Sequence, residues 1–396
     1  MSTPRKRPII LIPGIQGTKL FNTNEKDFQV IWSGVKKNFS NITKLALQKD
    51  GTCDAEIEMV VERADVENIA YSEIVNYLRS LDYRVFIFGY DWRKSNKESA
   101  EKLEAYVDKL KDKLNVNSFN FLTHSMGCLV LSSYFKILGN EQKINDIVNK
   151  VIFTVPPFLG SVESTFNLVA GKSRLFNSSD DFRKIARTFP SIYELLPVYK
   201  GAYTFKNTAR QDQFDYSHFD SYWQHVPNAT RKDTLQKQAL IRHRLAEMGA
   251  MRSQNDFIYN FHTIQSDELK KKLLVIVGTG ENTRVNVVIK DKVDHVVNFF
   301  EFDHPHSEGD GDGTVPHASG IAFKDSLLTL KVKSRKIETW ADGRFIMTDW
   351  HAFFLNNGRV QNVITRFFKP RSIEIINSMN ENEWYQSIGS KIARVR

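Results

Sequence analysis

The chain has 396 residues, 41% of them hydrophobic and 26% charged, with a formal net charge of +9. That is long enough to bury a sizeable core and ordinary in composition, and no stretch approaches the ~18 consecutive apolar residues of a membrane span. The basic balance draws such a protein to anionic surfaces; with no zinc-finger or RNA-binding signature beside it, nucleic acid is not an expected partner and a peripheral membrane contact is.

The predicted elements alternate. Pro8–Ile12 is an apolar, β-branched strand, broken sharply by Pro13-Gly14-Ile15-Gln16-Gly17. The basic Arg5-Lys6-Arg7 precedes only this short run, too short for a signal peptide, so a cytoplasmic chain is expected. Val66, Ile69, Ala70, Ile74, Tyr77, Leu78 and Leu81 recur at helical spacing, and Arg84–Phe88 reads as a strand. Ala100, Leu103, Val107, Leu110 and Leu114 mark an amphipathic helix, Phe119–Leu122 a strand, and Met126–Leu138 a helix ending near Gly139. Val151–Val155 is the next strand, stopped by Pro156-Pro157, and Leu273–Val277 resumes the pattern. A further strand is predicted at Lys336–Trp340. Strands alternating with helices imply a mostly parallel sheet with helices on both faces. Residues 158–272 break the rhythm, with Phe214, Tyr216, Phe219, Tyr222 and Trp223 close together, and are read as an inserted helical cap.

Between a strand and a helix stands Thr123-His124-Ser125-Met126-Gly127. A sharp strand-to-helix turn forces its hinge residue into a strained backbone and leaves a serine hydroxyl exposed as a nucleophile. Thr123 occupies the place where a glycine is usual, which predicts a tighter turn. A nucleophilic serine needs a base to take its proton and an acid to orient that base. Downstream, Gly309–Pro316 reads GDGDGTVP, a tight loop with exposed carboxylates, and His351 follows in DWHAFF. The order Ser125, Asp312, His351 suits the turn; Asp310 is the alternative acid, and His304, His306 and His317 are weaker bases by position. An oxyanion hole is expected from the N–H of Met126, after the nucleophile, and of Ile15 in the loop after the first strand, with Gln16 the alternative. A calcium loop from Asp310 fails, since its twelfth position is Ile321 rather than Glu, and His304, His306, Glu308 and Asp310 lack the spacing of a metal site. No metal or other cofactor is expected, and no disulfide between Cys53 and Cys128.

With these residues in place, the chain resembles the lecithin:cholesterol acyltransferase family, which includes lysosomal phospholipase A. The resemblance rests on Pro8–Leu20 (PIILIPGIQGTKL), Phe88–Arg93 (FGYDWR), Thr123–Leu129 (THSMGCL), Asp310–Pro316 (DGDGTVP) and the His351 segment. It implies an α/β-hydrolase fold: core residues 1–157 and 273–396 around the cap at 158–272, with a short membrane-binding or lid loop near 25–50. It also implies Ser125 as nucleophile, Asp312 as acid, His351 as base, and Met126 and Ile15 as oxyanion donors. Trp32 sits where the family carries a membrane-binding tryptophan; the residue type alone leaves an interfacial and a buried role equally open. The expected activity is cleavage of phospholipid or other lipid acyl esters through an acyl-serine. Transfer of the acyl group to a sterol or diacylglycerol is the alternative, and a lipid-binding chain without turnover the second. A regulating protein partner is not legible in the sequence.

Overall fold

The computed structural model describes residues 6–22, 29–32, 42–52, 59–60, 68–169, 180–206, 258–290, 300–304, 307–333, 350–369 and 392–395. Its centre is a seven-stranded sheet. The strands, in chain order, are β1 (Ile9–Ile12), β5 (Val85–Ile87), β6 (Phe119–His124), β7 (Val148–Thr154), β9 (Leu273–Thr279), β14 (Leu328–Lys333) and β15 (Ile392–Arg394). Their spatial order is β15-β14-β9-β7-β6-β1-β5. All neighbours run parallel except the edge pair β14–β15. Three smaller sheets join β2 (Leu20–Asn22), β3 (Gln29–Trp32) and β4 (Met59–Val60); β8 (Tyr203–Phe205), β11 (Val287–Ile289) and β12 (Phe300–Glu301); and β10 (Glu281–Arg284) with β13 (Glu308–Gly311).

The near-continuous apolar runs of β1, β6, β7 and β9 follow from burial on both faces. Side chains alternate along a strand. Ile9, Leu11, Leu122, Ile152, Leu274 and Ile276 therefore enter one core with helix α1 (Asn68–Ser80) and the helix Gly358–Phe368. Ile10, Ile12, Phe121, Phe153, Val275 and Val277 enter the other, under α2 (Asn96–Leu114) and α3 (Gly127–Leu138). Each helix shows its cause. Ser95 caps α2 by accepting the Lys97 N–H, and Asn115 ends it in a left-handed turn. Asn357 caps the Gly358 helix by accepting from Arg359 and Val360.

Helix α4 (Glu141–Ile147) leads into β7. Between β7 and β9, helices α5 (Val162–Val169), α6 (Asp180–Ala186) and α7 (Pro190–Glu194) leave the sheet. Glu194 of α7 accepts from the Ser95 hydroxyl at 2.7 Å and the Asn96 N–H at 2.7 Å, so the N-terminus of α2 anchors this excursion. The aromatic cluster from Phe214 to Trp223, Lys336–Trp340, Cys53 and His306 lie outside the described residues. The strand before the base is β14, Leu328–Lys333.

Candidate active site

The site gathers at the carboxyl ends of β1, β6 and β9. Ser125 follows β6 with φ +52°, a left-handed backbone that an L-residue adopts at a cost of ~1–3 kcal/mol. The surroundings enforce it. A Cβ on Gly127 would lie 2.4 Å from the Ile12 carbonyl oxygen and 2.5 Å from that of Pro13, so only glycine lets α3 approach β1 this closely. The Ser125 N–H is tied to the Thr154 carbonyl at 3.0 Å. Thr123 does not crowd the turn: its side chain is fully buried and its hydroxyl lies 3.0 Å from Cys128 Sγ and 3.3 Å from the Ile152 carbonyl. Burial pushes the Cys128 thiol up to about 12, the state of a packed thiol rather than a reactive one.

The acid loop is set by the antiparallel β10–β13 pair, in which Glu281 faces Gly311. Gly313, at φ +96°, turns the chain and donates its N–H to Thr283 Oγ1 at 2.9 Å. Asp312 is 1% exposed, and its Oδ1 accepts the N–H groups of Thr314 at 2.9 Å and Val315 at 2.7 Å. Its Oδ2 accepts from His351 Nδ1 at 2.7 Å, and the opposite nitrogen, Nε2, lies 2.8 Å from Ser125 Oγ. Asp310 is exposed and accepts the Gly280 N–H instead. Of the two acids the loop offers, Asp312 reaches the imidazole.

Met126 opens α3, whose first N–H groups have no carbonyl within the helix. Ile15 lies in the loop that ends β1, where a Cβ on Gly14 would meet the Ser125 Cβ at 2.8 Å. That loop is braced by the Tyr90–Arg93 run. The Tyr90 hydroxyl donates to the Pro13 carbonyl at 2.9 Å, the Trp92 indole to Thr18 at 3.0 Å, and Arg93, paired with Asp91 at 2.7 Å, to Leu45 at 2.9 Å. Trp32 belongs to the same brace. It is 4% exposed, donates to the Gln16 carbonyl at 2.9 Å and meets the Trp92 ring edge-on at 5.3 Å. The Trp32 side chain is thus buried within this brace.

Two residues the motif reading passed over touch the site. His124 is buried between Tyr71 of α1 and the backbone of His351. Burial, with the neighbouring His351, lowers its imidazole to about 3. No sequence signal marks Tyr71, which falls within the predicted helix but not among the residues that carry its periodicity. Among the described residues no three His, Cys, Asp or Glu side chains gather as a metal site, and no helix is long and apolar enough to cross a membrane.

A doubly covered, mostly parallel sheet, with a strained serine after β6 and an Asp-His pair aligned on that serine, has the architecture of the α/β-hydrolase fold. A chain of the Tle4–Tli4 complex shares the fold at a TM-score of 0.59 and 16% identity, over 94% of this chain and 99% of that one. The chain belongs to the lecithin:cholesterol acyltransferase family, whose sequence profile matches residues 61–322, and it is accordingly an enzyme acting on lipid esters. Bacillus licheniformis lipase BlEst2 (11% identity, TM-score 0.27, 70% of this chain and 68% of that one) carries no weight at that score. The same holds for phospholipase PlaB from Legionella pneumophila (14%, 0.26, 52% and 40%). No curated protein matches the chain.

Proposed function

We propose that the chain is a serine hydrolase that cleaves acyl esters of phospholipids through an acyl-Ser125 intermediate. The observation that carries this reading is the continuous line from Asp312 Oδ2 through the His351 imidazole to Ser125 Oγ, with steps of 2.7 and 2.8 Å. His351 Nε2 takes the hydroxyl proton as Oγ adds to the ester carbonyl. The Asp312 carboxylate holds the Nδ1–H tautomer and steadies the imidazolium. The N–H groups of Met126 and Ile15 receive the oxyanion, a contribution of ~3 kcal/mol per donor in enzymes of this type. The oxyanion collapses, the C–O bond to the lipid alcohol breaks, and that alcohol leaves with the proton from Nε2. Water, deprotonated by His351, then adds to the acyl-enzyme and releases fatty acid and free Ser125. Residues 158–272 are assigned the cap over this site, and the net charge of +9 the attraction to anionic headgroups, at ~1 kcal/mol per Lys or Arg near the surface.

Membership of an acyltransferase family favours a second reading in which a lipid alcohol replaces water in the last step. One experiment tests both. The protein is incubated with anionic phospholipid vesicles, with and without a sterol or diacylglycerol, and Ser125→Ala is run beside it. Free fatty acid is expected as the main product. Acyl ester formed in preference to it transfers the assignment to the second reading. Ser125→Ala is expected to lose activity by ~10⁶-fold, with all labelling by a fluorophosphonate. Equal labelling of both proteins removes Ser125 from the chemistry.

A further inference from the structure

Resting on the serine reading above, a second hydrogen-bonded line passes behind the first. The Gly14 N–H donates to Tyr71 Oη at 2.9 Å. Tyr71 Oη lies 2.8 Å from His124 Nδ1, and His124 Nε2 lies 2.8 Å from the His351 carbonyl oxygen. Tyr71 and His124 are each 3% exposed. A carbonyl oxygen only accepts, so His124 Nε2 carries a proton. In a neutral ring Nδ1 is then the acceptor and the Tyr71 hydroxyl donates to it. This arrangement leaves no ring nitrogen unsatisfied, as burial demands.

The ends of the line matter. Gly14 precedes Ile15 in the loop assigned to the oxyanion, and His351 is the assigned base. The loop also packs directly on the pair. A Cβ on Gly14 would lie 3.2 Å from His124 Nδ1, and one on Gly17 2.9 Å from Tyr71 Oη. The His124 and His351 rings stand 5.2 Å apart, so a charged His124 would oppose the imidazolium that forms at His351 during turnover. The groups facing the His124 ring are Tyr71 from α1, His351 from its own loop and the Gly14 backbone.

We infer that Tyr71 and His124 are positioning residues: a neutral, fixed-tautomer pair that ties the oxyanion loop to the backbone of the base, so that both ends of the transition state are set by one network. Neither residue touches substrate. Their loss is expected to act on kcat, because misplacing a catalytic group by ~1 Å costs on the order of 100-fold.

The test uses wild type, Tyr71→Phe, His124→Gln and His124→Ala on a soluble short-chain aryl ester, with Ser125→Ala as control. Gln places an N–H where Nε2 was, whereas Ala does not. Tyr71→Phe and His124→Ala are expected to lose ~10–100-fold in kcat with KM changed less than ~3-fold, to slow fluorophosphonate labelling in proportion, and to be partly rescued in His124→Gln. Folded Tyr71→Phe and His124→Ala with kcat within ~2-fold of wild type overturn the inference while Ser125→Ala still upholds the serine reading. If Ser125→Ala stays active, the serine reading falls and takes this inference with it. A measurement on the wild type keeps the inference testable should the variants not fold. The ¹⁵N shifts of the His124 ring are expected to report one neutral tautomer, protonated on Nε2, from pH 8 down to about 5. Titration of His124 near its ordinary value of ~6.5, or a proton on Nδ1, overturns it.

Discussion

The nucleophile and the acid are held in opposite ways. Ser125 is held by backbone: a left-handed φ, an N–H bonded to Thr154, and a glycine two residues on that admits no side chain against Ile12 and Pro13. Asp312 is held by its own carboxylate, which collects two loop N–H groups on one oxygen and His351 on the other. The geometry of the elbow is therefore broken by added volume at Gly127, and that of the acid by loss of its charge. One site thus has two distinct ways to fail.

After loss of the nucleophile itself, the largest effect is expected at the acid. Asp312→Asn keeps the shape and both loop N–H contacts but turns an amide toward His351 Nδ1, which removes the charge that steadies the imidazolium. Activity should fall by ~10⁴-fold with little change in KM. Asp310→Asn, two residues away and exposed, should stay within ~3-fold. Initial rates on one ester with both variants decide the matter. Comparable losses in the two would mean that the loop's shape, and not the Asp312 charge, supports turnover.

The elbow is broken by a single methyl group. Gly127→Ala drives Cβ into two backbone oxygens that belong to a central strand and its loop, so neither can turn aside. Overpacking of this kind costs ~1–3 kcal/mol, and the displaced Ser125 should label more slowly with a fluorophosphonate. Gly358→Ala is the matched control: a Cβ there meets nothing within 4 Å, and the residue opens a helix, so stability should hold or rise slightly. Thermal melts of the two variants give the contrast, and equal melting temperatures would show that α3 is not wedged against β1.

The same division explains what the sequence disclosed. The elbow is legible because everything that makes it is contiguous: a buried strand, a serine and a glycine within nine residues, Phe119 to Gly127. The choice of Asp312 over Asp310 depends on which carboxylate the β10–β13 pair leaves buried, and spacing alone cannot show that. Strand β14 carried no clear signal, because LTLKVK mixes buried and exposed positions near the sheet margin, which is weaker than a run buried on both faces; the strand expected at Lys336–Trp340 lies outside the described residues. The short β15 at the sheet edge gave no pattern at all. Tyr71 and His124 were hidden for another reason. Each satisfies a local rule, one as a core residue of a helix and one as part of a motif, and their joint role exists only in three dimensions. The Tyr90–Arg93 run was recognisable as a family signature, but its work as a brace for the 13–18 loop needs the hydrogen bonds to be seen.

The smallest expected effect concerns acid. Unfolded, His124 binds a proton at its ordinary value near 6.5; folded, burial and the adjacent His351 hold it neutral to about 3. Between those values the unfolded chain carries the extra proton, so stability falls as the pH drops, by up to ~1.4 kcal/mol per unit, and the term vanishes above pH 7. His124→Gln has no such proton to take up. Urea unfolding of wild type and His124→Gln at pH 7.5, 6 and 5 should give a stability difference that is constant above pH 7 and shifts against the wild type below 6. The other histidines and the carboxylates are common to both proteins and cancel in the comparison. Curves that stay parallel down to pH 5 would mean that His124 is protonated in the folded chain, and that the elbow is not sealed from charge in the way its backbone packing implies.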